Sequence, residues 1–129
     1  MKNKNEVIKN IQTVLQLEKE ILFAYLFGSF LTGKKYHDVD VAVYLRTKKD
    51  FRYEFFLEDK LTKKLKLPVD VRILHFAPLP FLYNVISSGQ VIVDNDPDKR
   101  ADFETYILKS YFDYVHIRDE YLAEFKNAV

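Results

Sequence analysis

An α+β (α/β-like) domain, with a small mixed sheet flanked by helices, is predicted by three observations. Two apolar runs of strand length, Ile21 to Phe27 and Val39 to Leu45, are separated by a polar connection. A third short run, Leu67 to Leu74, carries an acid in its interior, and helical stretches alternate with all three. The coarse order is helix (about Glu6 to Glu20), strand, turn, strand, helix (about Lys49 to Lys66), strand, helix (about Leu79 to Ser87), short strand and a long helix from Pro97.

Each element has a local reason. Ile21 to Phe27 is bounded by Gly28, and Val39 to Leu45 is rich in β-branched and aromatic residues. Thr47 and Asp50 form a helix-start signal, and Gly89 a stop. Lys60, Lys63, Lys64 and Lys66 lie on a helical stretch whose apolar content comes from Phe55, Phe56, Leu61 and Leu65, so they read as a solvated face. Asp94-Asn95-Asp96-Pro97-Asp98 has the alternating carboxylates of a calcium loop. Lys99 stands where such a loop needs Gly, however, and Thr105 where it needs Glu. The stretch is read instead as a helix start, with Asp96 as N-cap and Pro97 at the first helical position.

Chemistry concentrates at Leu26-Phe27-Gly28-Ser29 and Asp38-Val39-Asp40. Successive strand side chains point to opposite faces, so Asp38 and Asp40 share one face with α-carbons about 7 Å apart. Two such carboxylates repel unless a cation sits between them, and Mg²⁺, which takes oxygen ligands and leaves positions for substrate phosphates, suits that place. Gly28 lets the backbone approach a ligand, consecutive N–H groups in a turn bind anions, and Ser29 adds a hydroxyl donor. Asp70 is the acid inside the third run; it must be paired, metal-bound or exposed at an edge. A salt bridge to Arg72 on the same strand face is one reading. A metal site explains all three acids at once and is favoured.

Composition bounds the rest. Lys and Arg total 20 against 19 acids, which leaves no global basic field and argues against direct nucleic-acid binding. Hydrophobic residues make up 48%, enough for a core in one domain, and no linker or repeat interrupts the chain. No apolar run approaches the roughly 20 residues that span a bilayer, and the Met1-Lys2-Asn3-Lys4-Asn5 start lacks a signal-peptide core. A cytoplasmic protein without membrane contact is therefore expected. The absence of cysteine excludes disulfides and thiolate zinc sites. None of His37, His75 and His116 is assigned as a ligand: the first is a turn residue beside the acids, the second ends a strand, and the third lies on a helix surface. The last helix carries Tyr106, Tyr111, Tyr114 and Tyr121 with Phe103, Phe112 and Phe125. Core packing and a partner-docking or homo-oligomer surface are evenly weighted there.

Gly28-Ser29, Asp38-x-Asp40 and Asp70 together resemble the signature of the polymerase-β-like nucleotidyltransferase superfamily. Val69-Asp70-Val71, Phe76-Ala77-Pro78-Leu79, Ser88-Gly89-Gln90-Val91-Ile92, Asp94-Asn95-Asp96 and Arg100-Ala101-Asp102-Phe103-Glu104 sharpen this to a resemblance with minimal nucleotidyltransferase antitoxins encoded beside HEPN-domain toxins, from Leu26 to about Tyr114. The resemblance implies a polymerase-β-like nucleotidyltransferase fold, with residues 1–129 as a single minimal nucleotidyltransferase domain ending in a long helix. It implies an adenylyltransferase that moves AMP from ATP to a tyrosine of a HEPN-type ribonuclease toxin and so silences it. Asp38, Asp40 and Asp70 would be both the catalytic residues and the ligands of two Mg²⁺ ions, with Asp70 nearest the acceptor and receiving its proton. The triphosphate would lie along Gly28 and Ser29. Thr32 stands before Gly33 where many relatives have a basic residue, and Lys34 and Lys35 would supply that charge from a shifted position. Two other readings remain: an antitoxin that only covers its toxin, and a small-molecule nucleotidyltransferase of the antibiotic-modifying type.

Overall fold

All seven residues of β1 (Ile21–Phe27) are buried, as a strand with neighbours on both sides and helices on both faces requires. The computed structural model describes residues 3–33 and 36–127, and in it β1 sits inside a four-stranded sheet of order β3-β2-β1-β4. β2 (Val39–Leu45) and β4 (Gln90–Asp94) flank β1 antiparallel, whereas β3 (Val69–Ile73) runs parallel to β2. A parallel pair needs a crossover, and α3 (Phe51–Leu65) supplies it. The expected small mixed sheet with flanking helices is what forms.

Strand alternation sorts the apolar side chains into two cores. Ala24, Leu26, Val39, Val41, Val43, Val69 and Val71 face α1 (Lys4–Gln16) and α3. Leu57, Leu61 and Leu65 complete that layer at four-residue spacing, one stripe of α3. Deleting such a buried leucine side chain costs about 2–5 kcal/mol. Of the apolar residues of α3, Phe55 and Phe56 are exposed; only the 57–61–65 stripe points at the sheet. On the other face Phe23, Tyr25, Phe27 and Ala42 meet Leu82 and Val85 of α4 (Leu79–Ser88) and Ile107 of α5 (Pro97–Asn127). Leu22 and Phe23 both fall on this side because the β1–β2 register shifts between Ile21 and Phe23.

Ends of elements follow capping chemistry. Asp50 Oδ1 accepts from the Arg52 amide and starts α3, while Thr47 donates to Glu20 Oε2 rather than capping anything. Asp96 Oδ1 accepts from the Lys99 amide, with Pro97 first in α5, as read from the sequence. Asp94 in the same acidic stretch pairs with Arg100 at 3.0 Å. α1 stops at Gln16 rather than running to Glu20. The residues after it are used elsewhere: Glu18 pairs with Lys60, and Glu20 holds Thr47. Gly89 ends α4 in an extended conformation, packed so tightly that an added Cβ would lie 2.4 Å from the Val85 carbonyl oxygen.

α5 divides its aromatic and apolar side chains between packed and exposed positions. Its 31 residues extend about 46 Å at 1.5 Å per residue. Ile107 is buried, Phe103 packs against Phe23 and Tyr44, and Tyr111 stacks on Tyr83 at 3.9 Å. Beyond them Ile117, Tyr121, Leu122 and Phe125 are exposed. No helix among the described residues is long and apolar enough to cross a membrane.

Candidate active site

The sheet brings the three acids to one corner. β2 begins at Val39, so Asp38 stands just before it and Asp40 one residue inside. In the parallel pairing of β2 with β3, Asp40 is the direct register partner of Asp70. Across the antiparallel pairing, Asp40 also faces Phe27, the last residue of β1. Gly28 therefore follows immediately beside the Asp40 carboxylate.

Electrostatics records this proximity. Partial burial, then the negative charges of Asp38 and Asp70, push the Asp40 carboxyl above its ordinary value, against the pull of the Arg72 guanidinium. Asp70 itself is half-exposed, since β3 is an outer strand of the sheet, and its Oδ2 lies 3.7 Å from Arg72 Nε. Edge exposure and the arginine thus coexist with the placement beside Asp40. Among the described residues, no three acids or histidines are already drawn together as a metal-ligating group.

The connection after β1 is a single helical turn, α2 (Ser29–Thr32), rather than a plain turn. Gly28 precedes it with φ +83° and ψ −161°, a backbone region closed to residues with a Cβ. Gly28 and Ser29 are exposed, while Phe30 turns inward and meets Tyr36 edge-on at 4.7 Å. Lys34 and Lys35 lie outside the described residues. Lys4 of α1 donates from Nζ to the Gly33 carbonyl and sits 5.5 Å from the Phe30 ring centroid, a placement no local sequence signal announces.

Two glutamates of α3 support β3 from its open edge. Glu58 Oε1 accepts from the Val71 amide at 3.0 Å, and Glu54 Oε2 from the Ile73 amide at 2.8 Å. They satisfy N–H groups that an edge strand would otherwise leave to solvent. Burial raises the Glu58 carboxyl, helped by the charge of Asp70 and opposed by the Val71 hydrogen bond. Sequence reasoning passed over both residues; an acid four positions from another on a helix facing an edge strand is the signal that marks them.

The three histidines are peripheral. His37 is exposed beside Asp38, and His116 pairs with Glu120 at 3.2 Å on α5. His75 packs against Tyr44 in a 3-10 turn, Leu74–Phe76, where burial lowers its pKa.

A family model described as "Polymerase beta, Nucleotidyltransferase" matches residues 9–98, the span that holds the cradle and all three acids. The chain belongs to the polymerase-β nucleotidyltransferase family. Solved structures of similar fold include the toxin-antitoxin MntA-HepT, with 21% identity, 94% of each chain covered and a TM-score of 0.70. A tri-AMPylated Shewanella oneidensis HEPN toxin in complex with MNT antitoxin matches with 21% identity, 92% of this chain and 97% of that chain covered, and a TM-score of 0.73. A toxin-antitoxin with AMP-PNP gives 23% identity, 95% and 98% coverage, and a TM-score of 0.74. At these identities the likeness is one of fold. Comparison with curated protein sequences found no match. Within the family fold, the order β3-β2-β1-β4 brings Gly28, just past the end of β1, beside Asp40 of β2 and Asp70 of β3.

Proposed function

We propose that this protein is an Mg²⁺-dependent nucleotidyltransferase that moves AMP from ATP to a tyrosine hydroxyl of a HEPN-type toxin and thereby acts as its antitoxin. The observation that carries the reading is the register of Asp40 against Asp70, with Asp38 alongside and Gly28 against the Asp40 carboxylate. Family membership supports nucleotidyl transfer, and the AMPylated toxin complex among the structures of similar fold supports the choice of a protein acceptor.

Asp38, Asp40 and Asp70 fit Mg²⁺ as hard oxygen donors whose mutual repulsion, felt by Asp40, a divalent cation would relieve. Bound there, Mg²⁺ would neutralise charge on the triphosphate and the departing diphosphate and favour the phenolate form of the acceptor. The chain's own groups do the rest. Gly28 admits the triphosphate close to the backbone, Ser29 donates its hydroxyl to a phosphate oxygen, and Lys34 and Lys35 add positive charge. The acceptor oxygen attacks the α-phosphorus, the bond from that phosphorus to the bridging oxygen breaks, and diphosphate leaves. Asp70 takes the phenolic proton. An unperturbed tyrosine has a pKa of about 10, so a positioned base is worth about 10²–10⁴-fold. Arg72 holds the Asp70 carboxylate by the 3.7 Å contact. The exposed Ile117, Tyr121, Leu122 and Phe125 of α5 offer the partner a docking surface, self-association being the alternative use of the same residues.

Intact-mass spectrometry of the co-expressed partner, with Mg²⁺ and ATP, tests the reading. Steps of one or more AMP units that vanish with Asp38→Ala/Asp40→Ala are expected. No added mass on a partner that still co-purifies would leave a binding-only antitoxin in its place.

A further inference from the structure

A cavity of about 610 Å³ opens past the outer edge of β3. Its walls include Phe51 and Glu54 of α3, Arg72 and Ile73 of β3, Phe76 of the 3-10 turn and Phe81 of α4. Nothing in the transfer mechanism above uses it beyond Arg72.

Two contacts join it to the acids. Arg72, one wall, lies 3.7 Å from Asp70. Phe81, another, meets Phe27 edge-on with ring centroids 5.3 Å apart, and Phe27 is the register partner of Asp40. The cavity therefore lies next to the catalytic corner, with Arg72 and Phe81 each touching both.

We infer that this cavity is the acceptor subsite, and that it takes an aromatic-bearing segment of the protein acceptor, the tyrosine and its neighbours, rather than any part of ATP. The inference rests on the transferase reading above. In-line displacement requires the attacking oxygen and the leaving diphosphate on opposite sides of the α-phosphorus. With the triphosphate along Gly28 and Ser29 at the end of β1, the attacking side is that of Asp70 and β3, where the cavity opens.

The lining agrees with this occupant. Phe51 and Phe76 are largely exposed, so the cavity presents aromatic faces and edges that a tyrosine ring can pack against. Arg72 offers a guanidinium to the same ring. Of the acids at the wall, Asp50 is paired with Arg52 at 2.8 Å, which leaves Glu54 as the carboxylate that disfavours a polyphosphate and tolerates a neutral peptide. The volume exceeds what one ring fills and lies in the range of small-ligand sites, about 300–1,000 Å³, leaving room for residues beside the tyrosine.

The test is steady-state AMP transfer to the co-expressed HEPN-type partner by Phe51→Ala and Phe76→Ala proteins, with Phe76→Leu as the conservative variant. Both rings are exposed, so truncation leaves the core intact, which thermal unfolding checks. The expected result is a KM for the partner raised about tenfold, as for loss of an aromatic anchor, partly restored by leucine. The KM for ATP and the calorimetric affinity for MgATP should stay at wild-type values. An unchanged KM for the partner overturns the inference. So does a raised KM for ATP or weakened MgATP binding, which would give the cavity to the adenine base. Wild-type protein that transfers no AMP to the partner would instead overturn the transferase reading, and this control keeps the two failures apart.

Discussion

A Cβ on Gly28 would stand 2.5 Å from Asp40 Oδ2. The backbone of the cradle and the central acid of the site are thus packed against each other without room for a methyl group. Rotation of the Asp40 side chain could relieve that clash, but the φ of +83° would remain. Gly28→Ala is expected to lower stability by about 1–3 kcal/mol through backbone strain. Displacement of the carboxylate should depress AMP transfer further than the stability loss explains. Denaturant unfolding beside the transfer assay checks both; an alanine variant with wild-type stability would contradict the strain argument.

Asp40 bears a native-state penalty that an amide would not. Its carboxyl is raised by burial and by Asp38 and Asp70, so the folded protein binds that proton more tightly than the unfolded chain. The penalty is absent below the ordinary carboxylate value and grows as pH rises from there through the raised native value, remaining in full above it. Asp40→Asn is expected to be more stable than wild type by about 0.2–1 kcal/mol at neutral pH, as for removal of a like-charge cross-strand pair. The difference should shrink toward zero in acid. Melting curves at several pH values measure it, and a variant less stable than wild type at neutral pH would speak against the repulsion.

A divalent metal should relieve the same repulsion. A ligand that binds only the folded state stabilises it by about 2.7 kcal/mol at a hundred times its Kd. Mg²⁺ is expected to raise the melting temperature of the wild type, and to have no such effect on Asp38→Ala/Asp40→Ala. Equal shifts in both proteins would remove Asp38 and Asp40 as the ion's ligands.

Glu54 and Glu58 carry the outer edge of β3. Each single alanine substitution leaves one strand amide without its acceptor, a loss of about 1 kcal/mol. The double substitution should also open an edge to pairing with other chains. Chemical denaturation and light scattering report the two effects. A double variant as stable and as monodisperse as wild type would show that the glutamates contribute nothing to the edge.

Much of this is legible in the sequence. The alternation of Val39, Asp40 and Val41 puts acid and core on opposite faces whatever the strand pairs with, because the strand period is local. Asp50 and Asp96 announced their helices through side chains that bond amides within three residues. Thr47 misled because its hydroxyl found a distant partner, Glu20, that no local pattern encodes. Phe55 and Phe56 are apolar yet exposed, because hydrophobicity alone does not say which side of a helix meets the sheet.

The sequence by itself determined which residues could serve: the glycine closing the first strand-like run, three acids in strand-like settings, and the aromatic density of the last helix. Only the tertiary structure decided that β3 lies parallel beside β2, so that Asp70 falls opposite Asp40, that Arg72 reaches Asp70, and that a cavity opens beyond them. Strand order depends on burial across the whole sheet, with α3 carrying the chain from β2 to β3 so that both strands bury their valines against it. Local propensity sets a residue's face; its neighbours across the sheet follow from which faces must leave water together.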